Sequence, residues 1–180
     1  AHKNHIVVAE ALALLAKSGS APLVVSTGAM QDYRNPGFFE SLKARLEQAG
    51  VAERFRFLGL IPYPEVAVLM RGAVAMINPS LFEGWSTTVE EAKSLGKRLI
   101  LSGLGVHREQ APERSLFFDP GDAAQLAAHM RQVLEEHDPR AELEAQRAAA
   151  LALPERKRRY ALEYEELALR VVQEHRARRG

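Results

Sequence analysis

Glu83, Gly84, Trp85, Ser86, Thr87, Thr88 and Glu91 stand together in the stretch NPSLFEGWSTTVEEAKSLG. Glu83 and Glu91 bracket a nine-residue stretch that also holds three hydroxyls and a glycine. A carboxylate accepts two hydroxyl donors at once, so one glutamate suits a ribose diol and the other the vicinal hydroxyls of a hexose. A strand, a glycine-containing turn and a helix start present unpaired backbone N–H groups and the positive end of the helix dipole, an arrangement suited to phosphate. The chemistry legible here is recognition of a molecule carrying both phosphate and sugar hydroxyls. A metal has no matching signature, because His107 lacks a His-x3-His partner and the chain has no cysteine.

The surrounding pattern states which elements must position that stretch. Val7, Ala11, Leu14 and Leu15 share a helical face that ends near Gly19, and LVVST after Pro22 predicts a strand buried on both faces. Phe39, Leu42, Leu46 and Ala49 predict a second helix ending on Gly50, followed by a strand in RFRFLG. Pro64 opens a helix that runs through Met70. VAMIN, RLILS and LFF are strands, TTVEEAKSL is a helix before Gly96, and Asp122 caps a helix carrying Leu126, Met130, Val133 and Leu134. The Ala-, Glu- and Arg-rich stretch from Arg140 to Leu151 reads as a surface helix. A charged helical tail begins near Pro154, with Tyr160, Tyr164, Leu167 and Val171 in register. Helices alternating with short apolar strands predict an α/β fold, a Rossmann-like doubly wound parallel sheet, in which ligands bind beyond the carboxyl ends of strands. The division is residues 1–153 as one Rossmann-like unit and 154–180 as a helix beside it.

Composition narrows the partners. The chain has 180 residues, with 24 basic against 23 acidic side chains and a formal net charge of +1. That balance gives no field for nucleic acid or a membrane surface. No apolar run approaches the ~18 residues of a membrane span, and the start lacks a signal peptide's features, so the expected location is cytoplasmic. The chain opens with neither methionine nor a strand, which predicts that it continues something longer.

Glu83 and Glu91, with Pro79, Ser80, Leu81 and Phe82 before them, resemble the E-x7-E signature of family-four retaining GT-B glycosyltransferases. HKNH near the start, FLGLIPYPEVAVLMRGA, GKRLILSGLGVHRE and FFDPGD agree in order, so the resemblance spans roughly Lys3 to Glu135. It implies the C-terminal, nucleotide-sugar-binding half of a GT-B fold, its first strand and its acceptor-binding N-terminal domain lying before residue 1. By the resemblance Glu91 holds the ribose, Glu83 faces the transferred sugar, Lys3 pairs with the diphosphate, and the amides from Gly84 and Trp85 through Ser86, Thr87 and Thr88 contact that diphosphate. The donor is a nucleotide sugar such as a UDP- or GDP-sugar. No metal and no further cofactor are implied. The resemblance also admits a peripheral contact of the longer protein with the inner face of a membrane. Ser86 stands where many members have glycine.

Each residue also has a plainer reading. Thr88 with Glu91, or Thr87 with Glu90, fits a helix capping box. Lys3 fits a solvated residue at a chain end, and Gly28 a simple turn. His107, Arg108 and Glu109 fit a polar loop, and Trp85 fits either stacking on a ligand or filling a gap beneath the turn. The RKRR run from Arg156 to Arg159 fits a solvated helix face. Two other functions share this architecture: a nucleotide-sugar epimerase and a non-catalytic nucleotide-binding module.

Overall fold

The computed structural model describes residues 2–30, 35–110 and 113–178. Seven helices and five short strands alternate along them: α1 (His5–Lys17), β1 (Val24–Ser26), α2 (Phe38–Gln48), β2 (Phe55–Phe57), α3 (Tyr63–Gly72), β3 (Ala75–Asn78), α4 (Thr87–Ser94), β4 (Arg98–Ser102), α5 (Gly105–Gln110), β5 (Ser115–Phe118), α6 (Ala123–Glu135) and α7 (Pro139–Ala177). All strand pairs are parallel. β1 pairs with β2, and β3–β4–β5 form a second group in that order. The fold is a Rossmann-like α/β domain with a helical tail.

Strand alternation sorts the core into two layers. Ala75, Ile77, Ile100, Leu116 and Phe118 pack toward the layer built on α1, α2 and α6, while Met76, Leu99, Leu101 and Phe117 pack toward Met70 of α3 and Val89 and Ala92 of α4. Successive side chains of a strand point to opposite faces, so a strand covered on both sides must be apolar throughout. β4 meets that condition, with Leu99, Ile100 and Leu101 fully buried. β1 does not. Val24 packs on the first layer, but Val25 is 41 % exposed, so LVVST is covered on one face rather than two. An apolar run alone does not reveal that its second face stays open.

Glycines close several elements. Gly19 (φ 72) follows α1, and the Ser20 N–H reaches back to the Leu15 carbonyl. Gly96 (φ 66) follows α4 and faces α7 so closely that an added Cβ would lie 2.8 Å from the Ala145 carbonyl carbon. Asp122 caps α6 by accepting from the Gln125 N–H at 2.9 Å, as its sequence position predicts.

Two elements differ from the sequence pattern. The segment around His107 is the short helix α5 rather than a loop. α7 starts at Pro139, capped by Asp138, and continues through Pro154, so the stretches before and after that proline are one helix. From Lys157 to Ala177 every residue of it is exposed. The part near its start is anchored by charge. Lys97, with no exposed side-chain surface, bonds Glu142 and donates to the Arg71 carbonyl at 3.2 Å, while Arg114 holds the other Glu142 oxygen at 2.9 Å.

Candidate nucleotide-sugar site

The loop from Pro79 to Ser86 leaves the carboxyl end of β3 and delivers the chain into α4. Asn78 fastens both of its ends. The Asn78 amide donates to Ser86 Oγ at 3.0 Å, and its Oδ1 accepts from the Ser80 N–H at 3.3 Å. Asn78, Ser80 and Ser86 are buried, whereas Leu81, Phe82 and Trp85 are exposed. A polar base therefore presents an apolar rim. Trp85 is 54 % exposed, which leaves it open to a stacking partner.

Glu83 is held between these layers. Its side chain is 11 % exposed and its Oε1 accepts from Lys3 Nζ at 2.6 Å and from Ser80 Oγ at 2.8 Å. Burial raises its pKa, but the hydrogen bonds from Lys3, Ser80 and Asn78 and the charge of Lys3 outweigh that and hold it below the usual carboxylate value. The carboxyl is therefore ionised at neutral pH, a fixed negative charge with one oxygen committed to the protein.

Lys3 reaches Glu83 because the chain start is tied down. The Leu81 N–H donates to the His2 carbonyl at 2.8 Å, and Asn4, in the left-handed region (φ 52), donates its amide to the Pro120 carbonyl at 2.8 Å. The start of α1, the loop after β3 and the loop after β5 thus converge at one edge. The Lys3 ammonium sits on Glu83, with half its side chain exposed. His5, next along, has its pKa lowered by burial above all, with the positive charge of Lys3 adding to the effect.

Glu91 lies on α4 and meets a different element. Tyr63, at the start of α3, donates its hydroxyl to Glu91 Oε1 at 3.2 Å, and the charge of Glu91 raises the Tyr63 pKa. No side-chain bond joins Glu83 to Glu91 among the described residues. The N–H groups of Thr87 and Thr88 belong to the first turn of α4, where a helix supplies no carbonyl to accept them. Neither capping box forms. The N-cap is Ser86, whose hydroxyl accepts from Asn78 instead of capping, and Glu90 accepts from Lys93 at 3.1 Å and from Gln110 at 2.9 Å.

Ser86 is turned inward, with its N–H directed to Gln110 Oε1 at 3.4 Å. Its backbone is extended (φ −91), so the position does not need glycine. Gly84 has open space where a Cβ would be, and Gly28 (φ 122) donates its N–H to the Gly59 carbonyl at 2.8 Å, linking the loops after β1 and β2. Among the described residues no three His, Asp or Glu side chains converge as a metal site, and no helix is long and apolar enough to cross a membrane. Arg158 and Arg159 form exposed pairs along α7, a solvated face, while Arg156 is partly covered and donates to Ser94 Oγ at 3.2 Å.

Sequence reading missed Asn78, Tyr63, Ser102 and Gln110. Only Asn78 left a signal, as a polar residue closing an apolar strand ahead of Pro79; the others act on partners far away in the chain.

Comparison with known proteins identifies the family. The chain is 29% identical over 116 residues to the O-antigen chain mannosyltransferase B of Escherichia coli, covering 64% of this chain and 29% of that protein. It is 29% identical over 100 residues to the 2-deoxystreptamine glucosyltransferase of Streptomyces kanamyceticus, 54% of this chain and 26% of that one. It therefore spans under a third of the length of these curated relatives. Among solved structures, a glycosyltransferase of Rickettsia africae superposes with a TM-score of 0.71 at 20% identity, over 83% of this chain and 38% of the other. Anabaena HepE in complex with UDP superposes at 0.70 and 20% identity, over 83% and 41%. The family model described as glycosyl transferases group 1 matches residues 1–149, and with the E-x7-E loop seated at the carboxyl edge of a parallel sheet the chain belongs to that GT-B family.

Proposed function

We propose that residues 1–153 form the donor-binding half of an enzyme that transfers a hexose from a nucleotide sugar, with retention, to an acceptor held by a further domain, and that 154–180 continue as a helix beside it. The observation that carries this reading is Glu83. It is an ionised, nearly buried carboxylate at the carboxyl end of β3, paired to Lys3 and flanked by the first turn of a helix. In the proposal the diphosphate occupies the N–H groups of Trp85, Thr87 and Thr88 and draws Lys3 from Glu83. The freed carboxylate then accepts from sugar hydroxyls, and Glu91 accepts from the ribose. The helix dipole, backbone amides and Lys3 together meet the charge that develops on the leaving diphosphate. Ser86 contributes through the shape of the turn, since its polar groups face inward.

Support for a sugar-nucleotide donor also comes from relatives. HepE is described with UDP and with UDP and glucose, and mannosyl- and glucosyltransferases stand among the curated matches. A role in building a surface glycan or polysaccharide in the cytoplasm follows as part of the proposal. So does a peripheral contact of the longer protein with the membrane's inner face. A thermal-shift panel of UDP, GDP, ADP and their sugars tests the reading. A ligand at ~100 times its Kd adds ~2.7 kcal/mol, so one nucleotide family is expected to raise the melting temperature by several degrees. No shift with any of them, in a folded protein that contains its partner domain, would overturn it.

A further inference from the structure

Helix α5 follows β4 and is read from sequence as a polar loop, yet two of its side chains are buried: His107 with no exposed surface and Gln110 at 4 %. They stand three residues apart, on one face of the helix. Each connects to a different part of the Pro79–Ser86 loop, His107 by way of Ser102 and Gln110 directly. His107 Nδ1 lies 2.8 Å from the Ser102 carbonyl and 3.2 Å from Ser102 Oγ. A carbonyl only accepts, so Nδ1 carries the proton. Ser102 Oγ in turn donates to the Ser80 carbonyl at 2.6 Å, and Ser80 Oγ donates to Glu83. Nε2 is buried without a partner among the described residues, so the polar function of the ring lies on its Nδ1 side.

Gln110 acts on the other end. Its Nε2 donates to the Ser86 carbonyl and to Glu90, both at 2.9 Å, and its Oε1 faces the Ser86 N–H. Lys93 donates to the Gln110 carbonyl at 2.8 Å and so fixes the end of α5 to α4. A loop is otherwise the part of a fold most free to move.

We propose that α5 is the positioning element of the loop that carries Glu83, with His107 holding its first half through Ser102 and Ser80, and Gln110 holding its end at Ser86. This rests on the donor-site reading only for its consequence in binding. Neither residue touches the ligand. Each sets where the Glu83 carboxylate and the N–H groups of the turn stand, and a hydrogen-bonded chain of buried groups suits that role because breaking any link leaves an unpaired polar atom.

Trp85 is the chain's sole tryptophan and sits inside the loop, so its time-resolved anisotropy reports loop motion directly. In His107→Leu and Gln110→Met chains that still melt cooperatively, Trp85 is expected to gain a fast local component, and His107→Asn, which keeps a donor near the Nδ1 position, is expected to suppress it. Ser102→Ala, which removes the hydroxyl bonded to the Ser80 carbonyl, severs the His107 arm should His107→Leu fail to fold. Unchanged Trp85 motion in folded variants would overturn the proposal. The second readout is the preference for UDP-glucose over UDP, or GDP-mannose over GDP, in the protein with its partner domain. His107→Leu is expected to cut that preference about ten-fold, as loss of one hydrogen bond to a charged group would. If Glu83→Gln cuts it and His107→Leu does not, positioning fails while the Glu83 reading stands. If Glu83→Gln leaves it unchanged, that reading fails and Trp85 motion alone decides the role of α5.

Discussion

Two lysine–glutamate pairs in this fold have the same chemistry and opposite surroundings. Lys97 and Glu142 meet in the interior, the lysine with no exposed surface and the glutamate with Arg114 on its second oxygen. Lys3 and Glu83 meet at the sheet edge, the glutamate 11 % and the lysine 50 % exposed. The first pair closes the structure: it joins the start of β4 and the residue before β5 to the first turns of α7. Its charges have nowhere else to go. The second pair leaves water access on the lysine side, and in the proposed function an arriving diphosphate competes there for Lys3. Burial decides whether an ion pair is a fixture or a replaceable partner.

The sharpest way to break that comparison is at Lys97. Lys97→Met leaves Glu142 buried with one partner fewer, and unfolding in denaturant is expected to show a loss of about 3–5 kcal/mol. Lys97→Met combined with Glu142→Leu removes both charges and is expected to recover much of that loss. A double variant as unstable as the single one would mean that the pair does more than neutralise itself.

The proposed donor site comes next in size. Glu91→Gln is expected to weaken the bound nucleotide by about 1.5–3 kcal/mol, roughly ten- to a hundred-fold, while Glu83→Gln leaves free nucleotide affinity nearly unchanged and lowers turnover in the protein with its partner domain. Calorimetric titration with UDP and GDP separates the two. Equal affinities for wild type and Glu91→Gln would take the ribose away from Glu91.

Lys3→Met is expected to change folding stability by no more than about 1 kcal/mol, as exposed pairs do, yet to weaken diphosphate binding. A stability loss like that of Lys97→Met would erase the distinction between the two pairs.

The smallest effect concerns acid. The pKa values of Glu83 and Glu142 are lowered in the fold: burial raises each, and the paired cations and hydrogen bonds outweigh it. A carboxyl with a depressed folded pKa gives stability that is complete above its unfolded value, about 4.3, and lost as pH falls through the folded value. Melting temperature should therefore be level in this respect above about pH 5 and decline below about pH 4. Removing the Lys97–Glu142 pair should flatten that decline more than Glu83→Gln does, because solvent screens the edge pair. Equal flattening would show that burial does not set the difference.

The pattern of apolar residues and turn glycines determined the order of elements, the parallel α/β class and the loop carrying Glu83 and Glu91, since strand and helix periodicities are local properties written in adjacent residues. Local pattern also misled where it stood alone: LVVST looked covered on both faces, the VHREQ stretch looked like a loop, and Pro154 looked like a helix start. Only the tertiary structure decided that Lys3 reaches Glu83 across eighty positions, that Gln110 rather than a capping box holds Glu90, and that Tyr63 meets Glu91. These contacts depend on how the sheet edge gathers the chain start and the loops after β2, β3 and β5. A hydrogen bond forms only within about 3 Å, a condition set by the closure of the whole fold and carried by no single stretch of sequence.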